Sequence, residues 1–398
     1  MELIFTDMKH RIIILLAGVL LTALSCNKIV TYKTDYPDKA VNNGAPSITA
    51  IYDLYDSKLE TPLEEGALAQ ILHITGKNLA TPVSVTFNGI AANLDQCFCE
   101  NQDAYIVVPR VLPSEVDNKL VFTTDQGSVS FPFGVKIPQL KLEGLKNEFA
   151  LPGSTVAVKG DFFDLFGFGA EDSDAAIMLG ETPVEVAEVS ETGMSIVIPE
   201  TAPDNSVITF SWTDVTLGAQ SKDIPYRRVD ALFLGDFSGI GFWDDKLKVK
   251  HLTDGTADGD PVSPGFPFLR FNTAIGAWAW YSLGMGGNFP LDFDWEKEMD
   301  NLVFKCEFWT NAAKPIPAYT AGGIMVQFNT KANVVLDLEG AAVNTGGEWV
   351  TFSWPLNSVA SEMPAQGTYW NFAFTVQPPI DWNVDFAMSN PRIEPANY

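Results

Sequence analysis

Histidine is nearly absent from this chain, so the chemistry open to it rests on its tryptophans and carboxylates. Only His10, His73 and His251 occur in 398 residues, and His10 falls in a segment that reads as a signal peptide. Histidine-based triads and multi-histidine metal sites are therefore disfavoured. Asp254, Asp258 and Asp260 offer the oxygen ligands that calcium takes, but not at the spacing of an EF-hand loop, and we read them as a solvated acidic turn. Cys97 and Cys99, one residue apart, could close only a strained disulfide. With Cys306 they make three thiols, short of a zinc tetrad, and all three are read as structural. No metal and no cofactor is expected. Carboxylate pairs for glycoside hydrolysis could be assembled from distant strands, yet no local acid/base signature is visible.

Nine of the ten tryptophans lie after Arg228. Sugars present faces of C–H bonds that stack on flat indole rings while their hydroxyls need polar neighbours, so a Trp-rich, Asn/Asp-rich sandwich suits glycans. The alternative is that the indoles fill a core, and strand alternation separates the two, because residues two apart share a face. Trp370 shares a face with Phe372, Phe374 and Val376, and Trp354 shares one with Val350 and Phe352, so both read as core. Trp349 alternates with Thr351 and Ser353, and Trp309 with Lys305 and Glu307, which predicts that these two face solvent. In Gly276-Ala277-Trp278-Ala279-Trp280-Tyr281, a strand would set Trp278 and Trp280 side by side about 7 Å apart, either as a platform for adjacent sugar rings or as a core pair. Trp243, among Gly and Asp, is expected at a loop tip, as a ligand contact or a loop plug. The candidate glycan-binding residues are thus Trp243, Trp278, Trp280, Tyr281, Trp309 and Trp349.

The elements that must position these residues are short alternating strands punctuated by Gly and Pro, with no long helical rhythm. The expected fold is all-β. Residues 1–25 read as a signal peptide, with basic Lys9 to Arg11 ahead of an apolar run from Ile12 to Leu24. Ala23-Leu24-Ser25-Cys26 resembles a bacterial lipobox, which implies lipidation of Cys26 and a membrane association by lipid anchor alone. Residues 26–45 would then be anchor and tether. A repeat follows: Leu72-His73-Ile74-Thr75-Gly76, Val83 to Gly89 and Tyr105 to Pro109 are matched in order by Val156 to Gly160, Ala176 to Gly180 and Ser195 to Pro199. The period is that of an immunoglobulin-like domain. Net charge is −25, which repels phosphate backbones and excludes nucleic acid as a partner.

The motifs I-T-G-K-N-L (74–79), V-T-F-N-G (85–89) and I-V-V-P (106–109) resemble the immunoglobulin-like IPT/TIG domain. Boundaries of 46–137 and 138–228 are expected for two such domains, followed by a glycan-binding β-sandwich over 229–398. Leu234 to Phe237 and Asp385 to Glu394 resemble the opening and closing strands of jelly-roll carbohydrate-binding modules. In this order, the parts resemble the surface glycan-binding lipoproteins of Bacteroidota polysaccharide-utilisation loci, of the xyloglucan-binding surface protein B type. The resemblance implies a non-catalytic polysaccharide-binding protein lipid-anchored to the cell surface at the outer membrane. It would capture a β-glucan, xyloglucan or mixed-linkage glucan, for a neighbouring outer-membrane porin and glycan-binding partner complex. The alternatives are a surface glycoside hydrolase and a protein-binding adhesin.

Overall fold

The computed structural model describes residues 41–229, 241–242, 251–288, 299–319, 322–328, 333–335, 342–360, 367 and 369–396. The signal-peptide, lipobox and Cys26 expectations lie outside them. The described residues form antiparallel sheets, apart from one parallel pair of Glu65–Ala67 with Gly134–Lys136, and contain one short α-helix, Leu356–Val359. Among the described residues no helix is long and apolar enough to cross a membrane. The described residues form two compact units, one up to residue 110 together with 117–136, the other of 111–116 and the described residues from 137 onward.

The internal repeat is visible in the strand order. In the first unit one sheet runs Ser47–Asp53, Ile71–Lys77, Asp103–Val107, Phe98–Cys99, and the other Ile90–Ala91, Ser84–Phe87, Lys119–Thr124, Gly127–Pro132. In the second unit Lys141–Leu145, Thr155–Asp161, Met194–Val197, Glu185–Val189 face Thr182–Pro183, Ala176–Leu179, Ser206–Asp214, Gly218–Tyr226 in the same topology. Gly76 and Gly160 hold equivalent places. Each sits opposite a bulge in the first strand of its sandwich, and a Cβ there would come within 1.9 Å of the carbonyl oxygen of Ser47 or Lys141. Close backbone approach at the bulge is what demands glycine in both copies.

The C-terminal sandwich pairs two five-stranded sheets. The first runs Gly241–Phe242, Tyr281–Asn288, Tyr369–Gln377, Gly323–Phe328, Asn333–Val335, and the second Leu252–Thr253, Phe268–Ile275, Trp382–Pro395, Leu302–Thr310, Val350–Pro355. Phe271, Phe304, Phe308, Phe386 and Trp354 meet Ile324, Val326, Phe374 and Val376 between the sheets. Trp354 is core, as its alternation predicts.

The other face of the second sheet is covered too. A bulge between Lys305 and Glu307 shifts the pairing with the last strand, and Asn390 there adopts a positive φ of 47°. Side-chain parity flips at such a bulge, which turns Arg392 and Glu394 onto the face that carries Lys305 and Glu307. Residues 146–149 of the preceding sandwich close over it. Glu148 is held by Arg392 Nη2 at 2.5 Å and Lys305 Nζ at 2.7 Å, and Arg392 Nη1 reaches both oxygens of Glu307 at 2.9 Å. Lys305 also pairs with Glu394. The backbone seals the contact, with Glu148 N–H donating to Thr351 Oγ1 (2.8 Å) and Thr351 N–H to the Lys146 carbonyl (2.8 Å). Phe149 lies under the Arg392 and Arg227 guanidinium groups at 4.8 and 5.4 Å.

Glu307 faces Arg392, Glu148, Lys305, Glu394 and the Thr351 hydroxyl. Burial, only partly opposed by Arg392, pushes its pKa from 4.5 up to about 7. The folded state therefore holds a proton that the unfolded chain releases between those two pH values, and stability falls as pH rises through that window. The contribution is on the order of 3 kcal/mol across the window. Urea denaturation at pH 5, 6 and 7.5 should show this fall, and Glu307→Gln should flatten it; equal slopes in both proteins would refute the assignment.

Candidate functional site

The two sheets of the C-terminal sandwich are joined twice at one end. Residues 276–280 carry the chain from Phe268–Ile275 to Tyr281–Asn288, and residues 378–381 carry it from Tyr369–Gln377 to Trp382–Pro395. Because Ile275 pairs with Trp382 and Tyr281 with Val376, the two crossings run beside each other. Sheet register thus places the Trp278 segment against the 378–381 segment.

Trp278 and Trp280 lie on the first crossing and not on a strand, which corrects the strand geometry expected for them. Ala279 N–H donates to the Gly276 carbonyl at 3.0 Å, closing a turn. Trp278 occupies its third position with a φ of +61°, where a turn of this kind takes Gly or Asn. A side chain with a Cβ in the left-handed region costs about 1–2 kcal/mol, and such strain persists only where surrounding contacts hold it. Here Trp278 N–H donates to the Pro378 carbonyl at 2.7 Å and Ala277 N–H to Asp381 Oδ1 at 2.7 Å.

The core-pair alternative for these indoles fails, since Trp278 is 57% and Trp280 51% exposed. Ile380, on the neighbouring crossing, is 52% exposed. Large aromatic side chains are seldom left this open unless they serve a contact. Tyr281 begins the next strand and is half-buried, packed against the core beside Ala279. Trp243 lies outside the described residues.

Trp309 and Trp349 are not solvent-facing. They are 7% and 9% exposed and pack with Phe268 and Ala387 on the outer face of the second sheet. The Phe268 and Trp349 rings meet edge to face at 5.2 Å, and Trp349 Nε1 donates to the Val262 carbonyl at 2.7 Å. Alternation assigned both to the correct face, opposite Phe304, Cys306 and Phe308, but alternation does not say what covers a face. Here the preceding sandwich lies along it, with Lys146, Phe149 and Trp349 lining one cleft.

The acidic turn is likewise more ordered than expected. The Asp260 side chain is largely covered and binds Arg270 Nη1 at 2.6 Å and the Thr253 hydroxyl at 2.5 Å, while Arg270 also forks onto Asp385 with two bonds of 2.9 Å. Asp254 instead accepts from the backbone and hydroxyl of Thr256. Among the described residues no group of three or more His, Cys, Asp or Glu is placed to hold a metal ion. What sequence reasoning missed is the second crossing: Gln377, Pro378 and Asp381 hold the Trp278 turn from a segment a hundred residues away, with no local signal to reveal it.

Residues 230–395 match the family model described as the surface glycan-binding protein B xyloglucan-binding domain. No curated protein matches the chain. Among solved structures, the surface glycan-binding protein PbSGBP-B of Prevotella bryantii is similar at 16% identity and a TM-score of 0.49, over 89% of this chain and 100% of that one. An SGBP-B from a complex xyloglucan utilisation locus of Bacteroides uniformis is similar at 17% identity and a TM-score of 0.46, over 88% and 99%. The mixed-linkage glucan utilisation locus SGBP-B of Bacteroides ovatus, solved with a mixed-linkage heptasaccharide, follows at 10% identity and a TM-score of 0.28, over 82% and 72%. The sandwich over 230–395 is thus similar to the xyloglucan-binding domain of the surface glycan-binding proteins of the B type.

Proposed function

We propose that the chain is a non-catalytic cell-surface glycan-binding protein that captures an extended β-glucan, xyloglucan or mixed-linkage glucan, on its C-terminal sandwich. The observation that carries this reading is the pair of half-exposed indoles, Trp278 and Trp280, on a turn that the neighbouring crossing holds in place. Two open indoles offer stacking faces to a sugar chain, and Tyr281 borders them. Trp243 belongs to the proposed site on sequence grounds. The family description of residues 230–395 supports the ligand class.

The non-catalytic reading is supported by how the buried carboxylates among the described residues are used. Glu148, Glu307 and Glu394 are tied to Lys305 and Arg392, and Asp260 and Asp385 to Arg270. Acid and base for glycoside hydrolysis would instead face each other across an open groove. In the proposed arrangement, Cys26 carries the lipid anchor, residues 26–45 form a tether, and domains 46–137 and 138–228 are immunoglobulin-like spacers. These hold the module of 229–398 off the outer membrane, beside a porin and its glycan-binding partner complex. Weak binding at each site would be offset by many anchored copies.

Affinity gel electrophoresis of the mature protein against xyloglucan, mixed-linkage glucan, galactomannan and starch, with a reducing-sugar assay alongside, tests the reading. Retardation by a β-glucan with no sugar released is the expected result. Release of reducing sugar would make the protein a hydrolase, and no retardation on any polymer would put the adhesin reading first.

A further inference from the structure

We propose that Asp381 is a positioning residue, which sets the indole of Trp278 for stacking without touching the glycan itself. The inference rests on the glycan-binding reading of Trp278 and adds to it the group that fixes the ring. Three observations carry it.

First, the turn's own bond, from Ala279 N–H to the Gly276 carbonyl, leaves the strain at its third residue uncompensated. Its third residue is a tryptophan at φ +61°, and Gly276, the natural occupant of such a place, stands two residues earlier. Left to its own preferences, the segment would rotate to negative φ and carry the ring elsewhere. Second, the bonds that reach the turn from outside and oppose this rotation come from one segment. Asp381 Oδ1 takes the Ala277 N–H at 2.7 Å, the Pro378 carbonyl takes the Trp278 N–H at 2.7 Å, and Gln377 Nε2 approaches the Trp278 carbonyl at 3.5 Å. Of these, only Asp381 supplies a close contact through a side chain, so it is the bond a substitution can remove cleanly.

Third, the ring has a seat to be held against. Its Cζ3 edge lies 3.7 Å from where a Cβ on Gly322 would stand, and such a Cβ would also meet the Gln377 carbonyl oxygen at 2.4 Å. Gly322, itself at φ +65°, is required by the Gln377 carbonyl, and the edge of the indole lies beside it. Asp381 is exposed while Trp382, its neighbour, is buried in the core. Its carboxylate is thus available to the turn without any part in packing, and replacing it leaves the core intact.

Asp381→Ala and Asp381→Asn separate positioning from direct contact, because Asn keeps the accepting oxygen and loses the charge. Affinity for the preferred β-glucan is measured by isothermal titration, beside wild type and Trp278→Ala. Loss of one net hydrogen bond corresponds to about a fivefold to tenfold weakening. That loss is expected in Asp381→Ala, with Asp381→Asn close to wild type and the melting temperatures unchanged. Weakening in both variants, or in neither, overturns the proposal.

A second measurement does not depend on glycan. In protein labelled with 5-fluorotryptophan, the 19F resonance of Trp278, assigned by its loss in Trp278→Ala, should shift or broaden in Asp381→Ala and stay in place in Asp381→Asn. A resonance unmoved by Asp381→Ala refutes the positioning role even if glycan binding is confirmed. A resonance that moves as expected in a protein with no affinity for any β-glucan would sustain the positioning role while removing the glycan reading.

Discussion

Replacing Arg392 by Met should cost the C-terminal unit about 3–5 kcal/mol, the largest loss expected from any single substitution outside the hydrophobic core. The guanidinium is fully enclosed and answers three carboxylates: Glu148 from the preceding sandwich, Glu307 from the adjacent strand and Glu394 two residues along. Methionine keeps much of the stem that packs against Phe149 but leaves those three acids facing Lys305 alone. Their mutual repulsion in a dry site is what the substitution exposes. Because domains are stable by only about 5–15 kcal/mol, a loss of this size should move the urea midpoint severalfold further than a surface change. Arg392→Lys restores the charge without the fork and should fall between. A combined Glu148→Leu, Glu307→Leu, Arg392→Met protein should recover most of the loss, since a well-packed apolar replacement of a buried ionic cluster is often neutral. If Arg392→Met costs under about 1 kcal/mol, the cluster is solvated and the two sandwiches are not coupled through it.

Joint replacement of Trp278 and Trp280 by Ala should abolish measurable retention on the preferred β-glucan while leaving the protein folded. Anchor aromatics at binding surfaces are worth about 2 kcal/mol or more each, so the pair should weaken binding by two to three orders of magnitude. More than half of each side chain is already in water, and surface changes of this kind shift stability by about 0.5 kcal/mol or less. The left-handed backbone supplies an internal control: Trp278→Gly removes the ring and the strain together, and should raise stability by about 1 kcal/mol while losing affinity. Affinity retained in the double variant would move the site away from this turn, toward Trp243. Unfolding of the double variant would mean that the indoles are structural.

The fold was largely legible because its signals are local and repeated. Gly76 and Gly160 stood in register in the linear repeat, and both turn out to face the same bulge. Strand faces were also legible: Trp354 with Phe352 at a stacking distance of 5.8 Å, and Phe304, Cys306 and Phe308 together in the core. Trp309 and Trp349 show the limit of that logic. A polar neighbour such as Lys305 or Glu307 suggests solvent, yet here Lys305 meets a buried counter-charge from the preceding sandwich, Glu148, and Glu307 one from the adjacent strand, Arg392. Arg392 and Glu394 inside the closing strand were the available hint, because charges are seldom placed mid-strand on a covered sheet unless paired. Trp278 was misjudged for a different reason. Its positive φ comes from hydrogen bonds to residues 378–381, and nothing in Gly-Ala-Trp-Ala-Trp marks a turn. The pairing of the two crossings is a property of sheet register, visible only once the strands are aligned.

The ionic seam between Glu148 and Arg392 bears on how this architecture can be rearranged. Sequence repeats invite the view of beads that can be duplicated, deleted or exchanged, with each bead bringing its own solubility. The seam denies that freedom to the last two sandwiches. A fragment cut at residue 229 would present Lys305, Glu307, Arg392 and Trp349 on a bare sheet face, and a transplanted sandwich lacking Glu148 would present that face with a mismatched partner. Shuffling that preserves a working receptor must therefore move residues 138–398 as a single cassette, so the heritable unit here is larger than the repeat.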